Sequence, residues 1–240
     1  MNVLVTAGNT MALIDRVRCI TNVFTGRTGA SIAACARQRR HGVTLVTSHP
    51  ETAGELSDGE LWSVRPYRTF EDLQSLMQEL ITSGAFDVVV HCAAVSDYLS
   101  AGVYAPAHGT AFDAASGRWL GDEPALIDKL AGKVKSDEEE LWVRLRRAPK
   151  LVDRIRSVWG FQGVLVKFKL EVGLTDEALL QVAESSRVQS DADLMVANTL
   201  EGASSYAFVG PLGGRYERVS RADLAGRLLE AVEGLHAGQP

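Results

Sequence analysis

Cysteine is scarce in this chain, three residues in 240, and Cys19, Cys35 and Cys92 are odd in number and set in apolar or helical contexts. That pattern reads as buried free thiols in a reducing compartment rather than a disulfide framework. No apolar run approaches the ~18 residues that a membrane-spanning helix needs. The chain enters a strand at Val3-Leu4-Val5 without the charged and apolar regions of a signal peptide, so a cytoplasmic protein without a membrane partner is expected. Positive charge is also short: 25 Lys and Arg stand against 30 Asp and Glu, for a net charge of −5. A general nucleic-acid binder carries a basic footprint instead, so no nucleic-acid partner is expected. His41, His49, His91, His108 and His236 lack metal-ligand spacing and no Cys-x-x-Cys occurs, so no protein metal site is expected. Neither G-x-S-x-G nor a Walker A sequence is present.

What remains is an ordinary globular composition, 46% hydrophobic and 23% charged, long enough to bury a sizeable core. Strand and helix signals alternate. Strands are predicted at Val3–Thr6, Val43–Thr47, Leu61–Val64, Phe86–Cys92, Leu141–Arg147, Val164–Phe168 and Leu194–Ala197. Helices are predicted at Gly29–Arg40, at Thr69–Ser83 with Phe70, Leu73, Leu76, Met77 and Leu80 on one face, and from Pro149 through Trp159. Another runs over Thr175–Arg187 with Thr175 as its cap, and a closing helix is capped by Ser220 and extends to His236. Tyr206–Val209 and Arg215–Val219 read as an edge hairpin around Gly210-Pro211-Leu212-Gly213-Gly214. The rhythm predicts an α/β fold, Rossmann-like and doubly wound, with a mostly parallel sheet and helices on both faces. A single domain over residues 1–240 is expected. Leu99–Gly132 forms a flap or excursion, with a short helix at Glu123–Leu130.

Ligands of such sheets gather beyond the carboxyl ends of the strands. Two stretches there suit an anion. One is the turn at Gly8; the other is Thr21-Asn22-Val23-Phe24-Thr25-Gly26-Arg27-Thr28-Gly29-Ala30, whose glycines run directly into a helix N-terminus. After the Phe86 strand, Ala93-Ala94-Val95-Ser96-Asp97-Tyr98 leaves room for a ligand and offers a carboxylate to a sugar hydroxyl or base amine, or else caps a turn. Lys133-Val134-Lys135-Ser136 either neutralises a triphosphate or is a solvated pair beside Asp137–Glu140. In Lys167-Phe168-Lys169 the lysines flank a strand end, and Phe168 either covers a base or belongs to the core.

Taken in order, nine segments resemble the phosphopantothenate–cysteine ligase family in its stand-alone form. They are Val5-Thr6-Ala7-Gly8-Asn9-Thr10, Ile14-Asp15-Arg16-Val17-Arg18, Ile20-Thr21-Asn22, Thr25-Gly26-Arg27-Thr28-Gly29 and Ala93-Ala94-Val95-Ser96-Asp97-Tyr98. The remainder are Lys133-Val134-Lys135-Ser136, Pro149-Lys150, Phe168-Lys169-Leu170-Glu171 and Val196-Ala197-Asn198. The resemblance implies ATP- or CTP-dependent condensation of 4′-phosphopantothenate with L-cysteine through an acyl-nucleotide, with Mg2+ bridging triphosphate oxygens. By position it assigns Asn22 to the pantothenoyl carboxylate and Lys133 to the reacting phosphate. Gly8, Thr25, Gly26 and Gly29 shape the phosphate loops, with Arg18 and Arg27 as charge partners. Ala94 and Asp97 meet the base or ribose, Phe168 lies against the base, and Pro149, Lys150, Lys169 and Asn198 complete the pocket. A homodimer, and a separate decarboxylase flavoprotein as partner, are also implied.

The chain departs from the family pattern in three places. Gly8-Asn9-Thr10 stands for the usual Gly-Gly-Thr, and Val23-Phe24-Thr25 is more apolar than the usual serine-rich piece. The helix before the final parallel strand carries Glu184, Ser185, Ser186 and Ser190 where relatives carry lysine or arginine, with only Arg187 basic. Charge for a triphosphate then falls to Lys167 or Lys169. A catalytically silent nucleotide-binding relative and a nicotinamide-dependent oxidoreductase stay open as alternatives, the latter without its glycine fingerprint.

Overall fold

A computed structural model describes residues 1–54 and 61–238. Along the chain run β1 (Asn2–Ala7), β2 (Met11–Leu13), β3 (Cys19–Thr21), α1 (Arg27–Gln38), β4 (Gly42–Thr47), β5 (Trp62–Pro66), α2 (Phe70–Thr82) and β6 (Val88–His91). Next come β7 (Tyr98–Pro106), β8 (Ala111–Asp113), β9 (Arg118–Leu120), β10 (Leu126–Asp128), β11 (Trp142–Arg147) and α3 (Leu151–Ser157). The last are β12 (Val164–Glu171), α4 (Asp176–Gln189), β13 (Leu194–Thr199), β14 (Tyr206–Leu212), β15 (Arg215–Ser220) and α5 (Leu224–Ala237). These elements cluster into two compact units. One comprises Met1–Thr10, Val23–Val95 and Lys150–Pro240; the other comprises Met11–Asn22 and Ser96–Pro149.

The first unit is built on an eight-stranded sheet in the order β15-β14-β13-β12-β6-β1-β4-β5. β5, β4, β1, β6, β12 and β13 are parallel, and β14 and β15 add an antiparallel edge. The central strands are apolar runs because helices cover both their faces. Val3, Val5, Val88, Val90, Val164 and Val166 meet Ile32 and Ala33 of α1 and Leu228 and Val232 of α5. On the other face, Leu179 and Ala183 of α4 pack on Met195 and Ala197. Strand order reverses at β1, which has β4 on one side and β6 on the other, so the ligand crevice of this fold falls at their carboxyl ends. The doubly wound expectation is met. Thr69 starts α2 with a reciprocal capping box, its side chain accepting from Asp72 N–H while the Asp72 carboxylate accepts from the Thr69 N–H.

The second unit is a three-stranded antiparallel sheet, β10-β7-β11, with the hairpins β2–β3 and β8–β9. Phe112 meets Trp119 and Trp142 edge-on, the two tryptophans are tilted against each other, and these contacts at 4.7–5.2 Å fasten the β8–β9 hairpin to β11. The expected excursion at 99–132 lies inside this unit. The helix expected at Glu123–Leu130 is not formed: Leu126–Asp128 pair with Pro106–Tyr104 of β7. So short a segment gains more from a ready-made sheet edge than from an isolated helical turn with its costly nucleus. Two boundaries also differ. Lys150, not Pro149, is the N-cap of α3, which stops at Ser157. Asp223, not Ser220, precedes α5, while the Ser220 hydroxyl ends β15 and accepts from Asp223 N–H.

Candidate active site

In the first unit, backbone geometry dictates the glycines at the carboxyl edge. Gly26 caps α1 with φ +80°, a conformation costly for any residue with a Cβ. A Cβ there would come within 2.4 Å of Gly8 N, and one on Gly29 would come within 2.6 Å of the Ala7 Cβ. Gly8 has φ +86° and a Cβ there would meet the Ser48 hydroxyl. The two glycine stretches therefore press together, and the first turn of α1 sits on the end of β1. That turn holds no acidic residue, so its amide dipoles and Arg27 favour an anion. Thr25 and Arg27 are exposed beside it.

Ala94 is drawn to the same edge: its N–H donates to Gly8 O at 2.7 Å, and Asn9 bridges to Ala94 in parallel. Ser48 steadies the turn by accepting from Asn9 N–H at 2.9 Å, so the asparagine in place of a second glycine is held by its own backbone. Tyr67 donates its buried hydroxyl to Ala7 O at 2.8 Å.

Arg221, a residue the sequence reading missed, also reaches this place. β15 runs parallel to β13, so the residue after it emerges at the carboxyl edge, and its guanidinium donates to the Thr28 hydroxyl at the start of α1. Position after the last strand of an antiparallel pair was the available signal. Burial pushes the neighbouring Cys92 thiol up to about 12, although Arg221 and the Gly29 N–H both act to lower it, so Cys92 is a neutral thiol.

β12 divides its residues between the two faces of the sheet. Phe168 packs against the core shared with α1 and α5, and Asn198 of β13 has the same parity as Val196 on that face. Lys167 and Lys169 point to the opposite face. The expectation that both lysines and Phe168 border one crevice is thus corrected by strand alternation. Lys167 is 8% exposed, and its ammonium donates to Ser186 O at 2.8 Å and to the Ser190 hydroxyl. Burial lowers its pKa to about 8, with Lys150 and Lys169 acting in the same direction and Asp153 opposing. Lys169 is paired with Glu171 at 2.9 Å.

Beside Lys167 in the register lies His91, whose Nδ1 meets Thr6 Oγ1 at 2.9 Å. Burial, and then the charge of Lys167, bring its pKa down to about 4.

In the second unit the buried Asp15 carboxylate is a clasp. It accepts from the backbone of Val17 and Arg18 at 2.8 Å, from the Arg18 guanidinium at 2.7 Å and from Val134 N–H at 3.0 Å. These bonds, Val134 foremost, hold Asp15 well below the usual carboxylate range. Arg18 also donates to Val134 O at 2.5 Å, and Arg16 N–H to Gly132 O at 3.1 Å. Lys133 and Lys135 are thereby displayed, exposed, at the tip of the β2–β3 hairpin beside Arg16 and Arg18. Arg18, expected as a charge partner, has its guanidinium engaged in this clasp. Asn22 lies past the other end of β3, four residues beyond Arg18, about 13 Å along an extended chain. Asp97 O accepts from Ala148 N–H at 2.8 Å, which brings Asp97 and Pro149 to one end of the β7–β11 pair. Among the described residues, no group of three or more His, Cys, Asp or Glu gathers as a metal cage.

Comparison with known proteins agrees with this architecture. Residues 1–106 match the DNA/pantothenate metabolism flavoprotein C-terminal domain. The coenzyme A biosynthesis bifunctional protein CoaBC of Thermococcus kodakarensis is 30% identical over 237 residues, which is 96% of this chain and 50% of that protein. The CoaBC of Methanocaldococcus jannaschii is 22% identical over 82% of this chain and 40% of its own length. The chain thus spans about half the length of the curated relatives it matches. A solved DNA/pantothenate metabolism flavoprotein from Streptococcus pneumoniae superposes with a TM-score of 0.78 at 26% identity, covering 98% of this chain and all of that one. A mutant of Cab2 in complex with phosphopantothenate-cysteine shares the fold, with a TM-score of 0.69 at 16% identity over 98% of this chain and 86% of that one. No helix among the described residues is long and apolar enough to cross a membrane. The paired glycine loops at the reversal of strand order accompany a likeness to these coenzyme A biosynthesis proteins that runs the length of the chain.

Proposed function

We propose that this protein condenses 4′-phosphopantothenate with L-cysteine in coenzyme A biosynthesis, consuming ATP or CTP. The observation that carries the reading is the glycine cradle: Gly8, Gly26 and Gly29 bring the first turn of α1 onto the end of β1, leaving no space for side chains there. A carboxylate resists an amine because its charge repels the nucleophile and oxide leaves poorly. Transfer of a nucleotidyl group to the carboxylate, with loss of pyrophosphate, creates a leaving group. The cysteine amine then attacks the acyl carbon and releases the nucleoside monophosphate. Such chemistry asks the protein for positioning and charge neutralisation rather than a nucleophile.

The residues divide those tasks. Asn22 donates its amide to the pantothenoyl carboxylate, and Lys133, carried on the Asp15 clasp, meets the reacting phosphate. Gly8, Thr25, Gly26, Arg27 and Gly29 seat phosphate oxygens, with Ala94 and Asp97 toward the base or ribose and Phe168 against the base. Magnesium enters on the triphosphate, keeping much of its water shell. The reading includes the homodimer that the resemblance implies. A cytoplasmic setting and a separate decarboxylase flavoprotein supplying the substrate belong to the same reading.

The test is to incubate the full chain with 4′-phosphopantothenate, L-cysteine, Mg2+ and each nucleotide in turn, measuring pyrophosphate and the cysteine amide. Product with one nucleotide is expected. Its absence with all of them overturns the ligase and leaves a silent relative. Asn22→Asp, an isosteric change, is expected to abolish most turnover, and normal turnover removes Asn22 from its role.

A further inference from the structure

The chain carries five histidines, and four of them stand apart from the glycine cradle or are buried. His41 precedes β4 and pairs with Glu233 at 2.8 Å, and His236 follows Glu233 near the end of α5. His108 belongs to the second unit, and His91 is buried against Thr6. His49 differs. Thr47 of β4 lies beside Ala7 of β1 in the parallel register, so Ser48 and His49 leave the sheet next to Gly8 and Asn9.

His49 is held at three points. Its N–H donates to the Thr47 hydroxyl at 3.1 Å, and its carbonyl accepts from Thr52 N–H at 3.0 Å and from the Thr52 hydroxyl at 2.7 Å. Its ring Nδ1 meets Ser48 Oγ at 2.9 Å. The same oxygen accepts from Asn9 N–H at 2.9 Å and donates to Asn9 Oδ1 at 3.0 Å, and it is the atom that a Cβ on Gly8 would strike. A serine hydroxyl has one proton and two lone pairs. With the proton given to Asn9, Ser48 can only accept from the imidazole. Nδ1 therefore carries the ring proton, and Nε2 keeps the basic lone pair. The result is a partly buried base, fixed in its tautomer, two hydrogen bonds from the turn that meets α1.

The condensation proposed above needs such a group. Cysteine arrives at neutral pH as an ammonium ion, which has no lone pair to offer the acyl carbon. The cradle seats phosphate oxygens, so the acyl phosphate, and the carbon bonded to it, come to the turn beside this imidazole.

We propose that His49 is a further catalytic residue, the general base of the second step. Nε2 takes one proton from the cysteine ammonium and becomes imidazolium. The freed lone pair forms the bond to the acyl carbon, and the bond from that carbon to the phosphate oxygen breaks. The nucleoside monophosphate leaves with that electron pair and with the second amine proton. Ser48 and Asn9 position the ring, and the imidazolium returns its proton to water. This rests on the ligase reading, and the experiment separates the two.

With the full chain, one nucleotide and 4′-phosphopantothenate, product is measured with L-cysteine and with hydroxylamine, an uncharged amine at neutral pH that needs no base to free its lone pair. His49→Asn keeps an N–H donor where Nδ1 stood and removes Nε2. It is expected to lower turnover with cysteine about a hundredfold or more, while hydroxylamine turnover, and pyrophosphate release in the absence of any amine, stay within about twofold. His49→Ala is expected to regain cysteine turnover when imidazole is added, which keeps the test sound if the asparagine variant is disturbed. Cysteine turnover near the native value in His49→Asn overturns the proposal. So does an equal loss with both amines, which would mark a structural role. A native chain that releases no pyrophosphate with any nucleotide overturns the ligase reading, and this step with it.

Discussion

His91 allows a stability prediction in which sign, size and pH window all come from the structure. Its ring is 7% exposed, bonded to Thr6 and next to the Lys167 charge, and these surroundings lower its pKa from 6.5 to about 4. In the unfolded chain His91 takes up its proton near pH 6.5, and in the folded chain only near pH 4. Between these values the unfolded state binds more protons, so stability falls as pH falls through the window. A change of that size corresponds to about 3 kcal/mol, a substantial part of the 5–15 kcal/mol typical of a domain.

Glu184 and Glu233 are lowered to about 2 by Arg187 and Arg39, so their stabilisation is lost only as pH falls from 4.5 toward 2. The interval from pH 4.5 to 6.5 therefore isolates the histidine from them. Urea unfolding across that interval is expected to show most of the 3 kcal/mol loss in the native protein and a nearly flat profile in His91→Asn, whose amide can still meet Thr6. An equal slope in the two proteins would refute the argument from burial.

Other outcomes follow from individual contacts. Gly26→Ala forces a Cβ into a positive-φ cap and toward Gly8 N; a loss of about 2–5 kcal/mol in denaturant unfolding is expected, and a midpoint like the native one would contradict the cradle. Asp15→Asn weakens the clasp on Val134 and Arg18, so trypsin should cut faster at Lys133 and Lys135 and ligase turnover should fall; unchanged cleavage would show that other contacts hold the segment. Thr69→Ala breaks the capping box of α2 and is expected to cost about 1 kcal/mol with no effect on nucleotide binding, read from the unfolding midpoint and a nucleotide titration.

Local sequence determined the parts of this protein whose physics is local. Continuous apolar runs at Val88–Val90 and Val164–Val166 could only be strands buried on both faces, and the glycines at 26 and 29 marked the tight turn that brings an alanine-rich helix onto the end of β1. Contacts between distant segments decided the rest. Leu126–Asp128 became a strand because β7 offered an edge, and β2 and β3 are too short to have a period of their own. Lys167 and Phe168 are neighbours in sequence but opposites in space, since side chains alternate along a strand. Arg221 reached the start of α1 because an antiparallel hairpin restores the parallel direction, and Asp15 met Val134 across 119 positions of sequence. Pairing and packing over such separations depend on the whole sheet, and no window of residues contains them.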